Sequence, residues 1–186
     1  MKQTVRRSGG TVSIDTDNLA KLSADIEKNG KARVHVGILG RTTTRSDGTL
    51  SNADIGAVHE FGILGGYSGS DRGQEARRLG GPNAKAAKRN IPARSWLRMP
   101  VISHLPDQLK KQKIQVWHAV ILKLGLRGAL KVLGALAVAS IQEAFATGGW
   151  GTWAKLAPFT IRKKGSSAIL IDSAQLRQGV TSEVMG

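Results

Sequence analysis

The longest periodic pattern of apolar residues runs from Leu105 to Gly148. Its second half places apolar side chains at steps of three and four, on one side of an α-helix: Leu126, Leu130, Leu133, Ala137, Ile141 and Ala144. An upstream stripe has the same step: Ile114, Trp117, Ile121 and Leu124. Gly125 lies between them and weakens a helix by about 1 kcal/mol relative to alanine. The pattern predicts either one long helix kinked near Gly125 or two helices that meet there.

Alternating apolar and polar residues predict short strands elsewhere. These stretches are 11–15, 32–39 and 180–185. In the second of them, Val34, Val36 and Ile38 share one face. Such a sheet has an apolar face to cover, and the long helix is the largest element available to cover it. The sequence therefore predicts an α+β fold, with a small, mostly antiparallel sheet packed on the long helix.

Shorter helices are predicted by apolar spacing and by capping residues. Leu19, Leu22 and Ile26 mark one helix, Ser51 or Asn52 begins another over 53–61, and Ser95 caps a third over 96–103. The residues expected to pack inward are Phe61, Trp96, Leu97, Leu130 and Leu133.

The segment 63–90 has no apolar periodicity and is rich in Gly, Ala and Arg. Its arginines include Arg72, Arg77 and Arg78. A structureless segment of this length is uncommon inside a compact domain, and its composition favours ordering only upon assembly. We expect a single domain over 1–186, with 63–90 as an extended loop or insertion.

The charge of the chain is strongly positive. Lys and Arg number 28 against 13 Asp and Glu, for a formal charge of +15. This balance favours a polyanionic neighbour such as nucleic acid, a membrane surface or an acidic protein face, although the excess can also be spread over solvent. Lys123, Arg127 and Lys131 lie four residues apart and predict a basic stripe pointing away from the sheet. The same three charges interrupt the best apolar stretch, so no transmembrane span is predicted.

No arrangement of residues predicts catalysis or metal binding. The four histidines lack the HExxH spacing, the acids are scattered, and no phosphate-binding GxxxxGK[ST] is present. Cysteine is absent, which excludes thiolate metal sites and disulfides. We therefore predict a protein that is not an enzyme and that uses neither a metal nor a cofactor.

Several short segments occur in an order typical of one family. They are 36–39 (VGIL), 52–62 (NADIGAVHEFG), 91–98 (IPARSWLR), 153–156 with Thr160 and 163–165, and 170–176 (LIDSAQL). In this order they resemble the virion morphogenesis and tail-component proteins of tailed bacteriophages. The nearest types are the Mu-like virion morphogenesis family and the neck or tail-completion proteins of lambda-like phages. The resemblance extends from about Ala32 to the end, with Trp96 where Phe is usual and Ser173-Ala174 where Thr-Gly is usual.

The resemblance implies a structural subunit of the phage neck or tail end, such as a tail-completion, tail-terminator or head–tail joining protein. Its partners would be copies of itself in a ring, with a hexamer favoured, neighbouring neck or tail-tube proteins, and packaged DNA in non-specific contact, but no membrane. It would reside in the virion and, during assembly, in the host cytoplasm. The interface candidates are Glu60, Arg72, Arg77, Arg78, Arg94, Arg98, Lys123, Arg127 and Lys131.

Two other classes of function remain open from the residues alone. The charge by itself is typical of a sequence-independent DNA-binding accessory protein, which would contact phosphates rather than bases. A basic amphipathic helix is also typical of a membrane-active protein. A defined oligomer would favour the ring, whereas a salt-sensitive DNA complex without a defined oligomer would favour the second class.

Overall fold

A computed structural model describes residues 2–7, 10–39, 51–62, 91–112, 114–170 and 175–186. The elements are β1 (Lys2–Arg7), β2 (Gly10–Asp15), α1 (Thr16–Asn29), β3 (Arg33–Ile38), α2 (Asn52–Phe61), a π-helix (Pro100–His104), α3 (Leu105–Lys111), α4 (Ile114–Thr147), α5 (Pro158–Lys164), α6 (Gln175–Gln178) and β4 (Val180–Met185). The predicted loop 63–90, and with it Arg72, Arg77 and Arg78, lies outside the described residues.

The central sheet pairs β3 antiparallel with β4, so that Arg33 lies opposite Met185 and Ile38 opposite Val180. The long helix α4 packs on both strands. At the crossing, a Cβ built on Gly134 would lie 2.9 Å from Val34 Cγ2. A glycine therefore allows the helix to approach the sheet this closely. The predicted α+β class, with a small antiparallel sheet on a long helix, is confirmed.

The buried core lies at the C-terminal end of α4. Ile141, Ala144 and Phe145 are almost completely buried there, together with Trp96 and Trp153. After α4, the N–H of Gly149 donates to Ala144 O at 2.8 Å, a bond that ends the helix with a glycine turn. The turn returns Trp153 to the helix, where its ring lies edge-on to Phe145 at 5.8 Å. The glycine turn after α4 therefore places the aromatic side chain of Trp153 in the core.

The break in α4 follows the second of the two predicted alternatives. Gly125 has φ 71° and ψ 176°, so 114–124 and 126–147 are two helices that meet there. An additional break was not predicted. Gln112 is extended, with ψ 138°, and separates α3 from α4.

Other local features differ from the predictions or were not predicted. The predicted strand over 11–15 is present as β2, and it pairs with an unpredicted strand, β1, as an antiparallel hairpin. The helix predicted over 96–103 is mostly replaced by the π-helix, although Ser95 Oγ accepts the N–H of Met99 at 3.0 Å as a cap would. The helix predicted to carry Leu19, Leu22 and Ile26 is present as α1, with Leu19 and Ile26 exposed.

Among the described residues, the stretch Val116–Thr147 of α4 is long and apolar enough to cross a membrane. Its most apolar part has a mean hydropathy of 1.6, and 28% of that part is buried inside the protein. We expected the charges of α4 to exclude a membrane-spanning stretch. By length and composition alone, that expectation was wrong. Contacts with β3 and β4 cover part of the apolar surface of α4, whereas Val116, Leu122 and Leu124 are exposed.

Candidate interaction site

The helix α2 begins with a reciprocal capping box. Ser51 Oγ accepts the N–H of Asp54, and the Asp54 carboxylate accepts the N–H of Ser51, each at 3.1 Å. The Ser51 hydroxyl also donates to Asp54 Oδ2 at 2.7 Å, and this bond, followed by the one from the Ser51 N–H, lowers the pKa of Asp54. The cap fixes where the helix starts. The buried residues of α2 are Gly56 and Glu60, one turn apart.

Glu60 is buried and organises the segment that follows residue 90. Its Oε1 accepts the hydroxyl of Ser95 at 2.6 Å and its Oε2 accepts the N–H of Leu97 at 2.9 Å. The N–H of Arg98 donates to Oε1 at 3.2 Å, and the guanidinium Nε of the same residue lies 3.5 Å away. The carboxylate therefore caps the start of another helical segment from 35 to 38 residues away in the chain. Glu60 and Arg98 therefore also form an ion pair.

Trp96 fills the space left by a glycine of α2. Its Nε1 donates to Gly56 O at 2.8 Å, and a Cβ on Gly56 would lie only 2.8 Å from Trp96 Cζ2. Only 3% of Trp96 is exposed, which confirms the prediction that it packs inward.

Arg94 is buried, and among the described residues its side chain bonds to backbone carbonyls rather than to a carboxylate. Its Nε donates to Ala154 O at 2.9 Å and its Nη2 to Lys155 O at 3.4 Å. Its backbone N–H donates to His59 O at 2.7 Å. Burial lowers the pKa of Arg94. This arginine joins the end of α2 to the chain that follows α4, so it is a structural residue rather than an interface residue.

His59 lies beside this arginine and is held neutral. Burial lowers its pKa to about 4, and the positive charges of Arg94 and Lys164 act in the same direction. Its Nδ1 is a buried atom without a hydrogen-bond partner among the described residues. An uncharged ring avoids placing a second cation next to Arg94.

The low pKa of His59 predicts a pH-dependent stability. Between pH 6.5 and pH 4 the unfolded chain binds a proton at His59 that the folded protein does not, so stability present above pH 6.5 is lost as pH falls towards 4. His59→Gln should therefore reduce the loss of urea-unfolding midpoint between pH 7 and pH 4.5. The exposed His118→Gln variant should retain it. An unchanged pH dependence in His59→Gln would contradict this assignment.

An open apolar groove of about 620 Å³ lies next to these residues. Val34, Val36 and Ile38 of β3 line one side, α2 and the π-helix line others, and Leu133 of α4 contributes to it. Among the groove residues, Phe61 is 67% and Ile102 is 65% exposed. Both large side chains therefore project into solvent beside an apolar depression. This groove is the candidate interaction site.

The prediction that Phe61 packs inward was therefore wrong. The buried face of α2 is formed by Gly56 and Glu60, which turns Phe61 outwards, where Arg98 covers its ring at 5.5 Å. Leu97 and Leu130 are half-buried, as is Leu133. The exposure of Ile102 was not predicted, because nothing in the sequence between Val101 and Ser103 distinguishes an exposed apolar side chain from a buried one.

The six interface candidates among the described residues fall into three groups. Glu60 and Arg94 are buried and hydrogen-bonded within the chain, so their side chains offer little surface to a neighbour. Arg127 was expected to point away from the sheet, but it donates to the carbonyls of Val184 and Gly186 at the end of β4. The exposed candidates in the described part of the chain are Arg98, Lys123 and Lys131.

Within the described ranges, no three His, Asp or Glu side chains come together as a group that would hold a metal ion. Comparison with protein-family models, curated proteins and solved structures finds no match. What this protein does is therefore inferred from its own residues and their arrangement.

Proposed function

We propose that this protein is a structural subunit of the neck or tail end of a tailed bacteriophage, which assembles with copies of itself into a ring and docks onto neighbouring neck or tail proteins. The observation that carries the proposal is the ordered set of sequence segments that resembles this family. Two of these segments, 52–62 and 91–98, contact each other through Glu60, Trp96 and Arg94. Their side chains hold the two segments together rather than forming a reactive centre.

The groove supports an assembly role. Monomeric soluble proteins rarely leave contiguous apolar patches exposed, and an apolar depression flanked by large exposed side chains is typical of an interaction surface. Phe61 and Ile102 are such side chains, and Arg98 lines the same groove. Aromatic residues and arginine are enriched in protein interfaces, because they combine a large contact area with directed hydrogen bonds. In the proposed ring, a neighbouring subunit covers this groove.

Changing the groove should separate assembly from folding. The double variant Phe61→Ser, Ile102→Ser should fold with a melting temperature near that of the original protein, since both side chains are mostly exposed, but should lose the oligomer. Light scattering after size exclusion measures the particle mass. Leu19→Ser, at an exposed leucine on α1, is the matched control and should assemble normally. A double variant with an unchanged oligomer would show that the groove is not the assembly surface.

The function itself is tested in particles that lack the protein. Electron microscopy should show heads and tails that fail to join, or tails with an irregular end. Normally joined particles of normal length would refute a neck or tail-end role.

Sequence-independent DNA binding is the second candidate, and the formal charge of +15 favours it. Exposed Lys123 and Lys131 would then contact phosphates, and the affinity for duplex DNA would fall steeply between about 50 and 200 mM salt. A monomer with this salt dependence, in a phage whose particles join normally without it, would favour this candidate over the ring subunit.

A further inference from the structure

A hydrogen bond between α1 and α4 stabilises the break in α4. The backbone N–H of Leu126, which begins the second half of α4, donates to Asp25 Oδ2 of α1. Asn29 on the same helix donates to Asp25 Oδ1 at 2.7 Å and thereby orients the carboxylate. Asp25 thus caps a helix N-terminus that exists only because α4 is bent at Gly125.

Glycine is required at two positions of this joint. Gly125 has a positive φ that residues with a side chain rarely adopt, and a Cβ there would lie 3.3 Å from Asp25 Oδ2. A Cβ on Gly128 would lie 2.5 Å from the Cβ of Leu124. On a continuous helix, Cβ atoms four residues apart are about 5–6 Å apart. A side chain at either position would therefore oppose the bend, while a straight helix would accept it.

The apolar stripes of the two halves are out of register. A helix turns by about 100° per residue, so a continuous α4 would place Trp117, Ile121 and Leu124 on the side opposite Leu130 and Leu133. The second half packs on the sheet, so the stripe of the first half would then face away from it. In the bent form Leu124 is 51% exposed, whereas Trp117 and Ile121 are half-buried.

We propose that Asp25, Gly125 and Gly128 form a conformational switch. While Asp25 holds the N–H of Leu126, α4 is two helices; when that bond is released, α4 becomes one continuous helix. The backbone N–H groups after Gly125 then donate to carbonyls of the first half, so the continuous form replaces the cap with helical hydrogen bonds. Straightening carries the stripe of the first half to the surface opposite the sheet. The switch is independent of the proposed phage function.

A distance measurement across the joint tests this proposal. The chain has no cysteine, so a pair introduced by His118→Cys and Ala139→Cys, both at exposed positions, can be spin-labelled without background. At 1.5 Å per residue these positions lie about 32 Å apart on a continuous helix. Pulsed electron spin resonance should give a clearly shorter distance in the parent protein. Asp25→Ala should shift part of the population towards the longer distance.

Two glycine variants should produce the larger shift. Gly125→Ala and Gly128→Ala each penalise the bend and favour the helix, so most of the population should move towards the longer distance. Glu27→Ala, at another exposed acid of α1, should leave the distribution unchanged. Gly128→Ala leaves the joint residue and its cap intact, so it decides the question if Gly125→Ala does not fold. A short distance retained in folded Asp25→Ala and Gly128→Ala would overturn the switch, as would a parent distribution centred near 32 Å.

Discussion

Replacing Glu60 by alanine should lower the free energy of unfolding by about 3–5 kcal/mol. The hydroxyl of Ser95 and the N–H groups of Leu97 and Arg98 would lose their acceptor. A buried donor left without a partner costs about 1–3 kcal/mol. The guanidinium of Arg98 adds little to the loss, because its side chain is 59% exposed and remains solvated. Urea unfolding followed by circular dichroism measures the change.

A second variant at Glu60 separates its role as a hydrogen-bond acceptor from its charge, and a variant at Asp54 is the control. Glu60→Gln keeps one carbonyl oxygen and should lose about 1–2 kcal/mol. Asp54→Ala removes an exposed carboxylate of the α2 capping box and should cost less than Glu60→Ala. A Glu60→Ala variant as stable as Asp54→Ala would show that water replaces the carboxylate, and that Glu60 does not organise the segment after residue 90.

Much of the fold was predictable because its signals are local. Strand β3, strand β4 and helix α2 were predicted from alternation, spacing and capping residues, each of which acts within a few residues of the chain. The start of α2 was predicted at Ser51 or Asn52, and the capping partner of Ser51, Asp54, is only three residues away. Gly125 lies between the two stripes of α4 and weakens a helix, and this indicated a kink or break there.

The candidate site was less predictable because its contacts are distant in sequence. Apolar spacing on α2 indicated that Phe61 faces inward, but the buried face is chosen by donors 35–38 residues later, which bind Glu60. Arg94 is satisfied by the carbonyls of Ala154 and Lys155, beyond the whole of α4. Nothing next to Arg94 in the sequence distinguishes it from an exposed arginine. Burial of a charged group is therefore a property of the tertiary structure, and a local pattern cannot report it.

Replacing Trp96 by alanine should cost about 3–5 kcal/mol, because it removes a large buried side chain and leaves a cavity beside α2. Trp96→Phe keeps an aromatic ring but loses the bond from Nε1 to Gly56 O, and should cost about 1–2 kcal/mol. The half-buried Trp117→Ala, on the first half of α4, is the control and should cost less than Trp96→Ala.

The glycine opposite this ring provides a sharper test. Gly56→Ala alone should be destabilising, since its Cβ would lie 2.8 Å from Trp96 Cζ2, an atom that phenylalanine lacks. In the Trp96→Phe background the same change should cost less, so the two substitutions should couple favourably in a double-mutant cycle of unfolding free energies. Additive costs would mean that the side chains of Leu176 and Ile38, which lie at 3.3 and 3.4 Å from the same Cβ position, set the limit at Gly56 instead. A favourable coupling would establish that the size of the ring at residue 96 determines why a glycine is needed in the middle of α2.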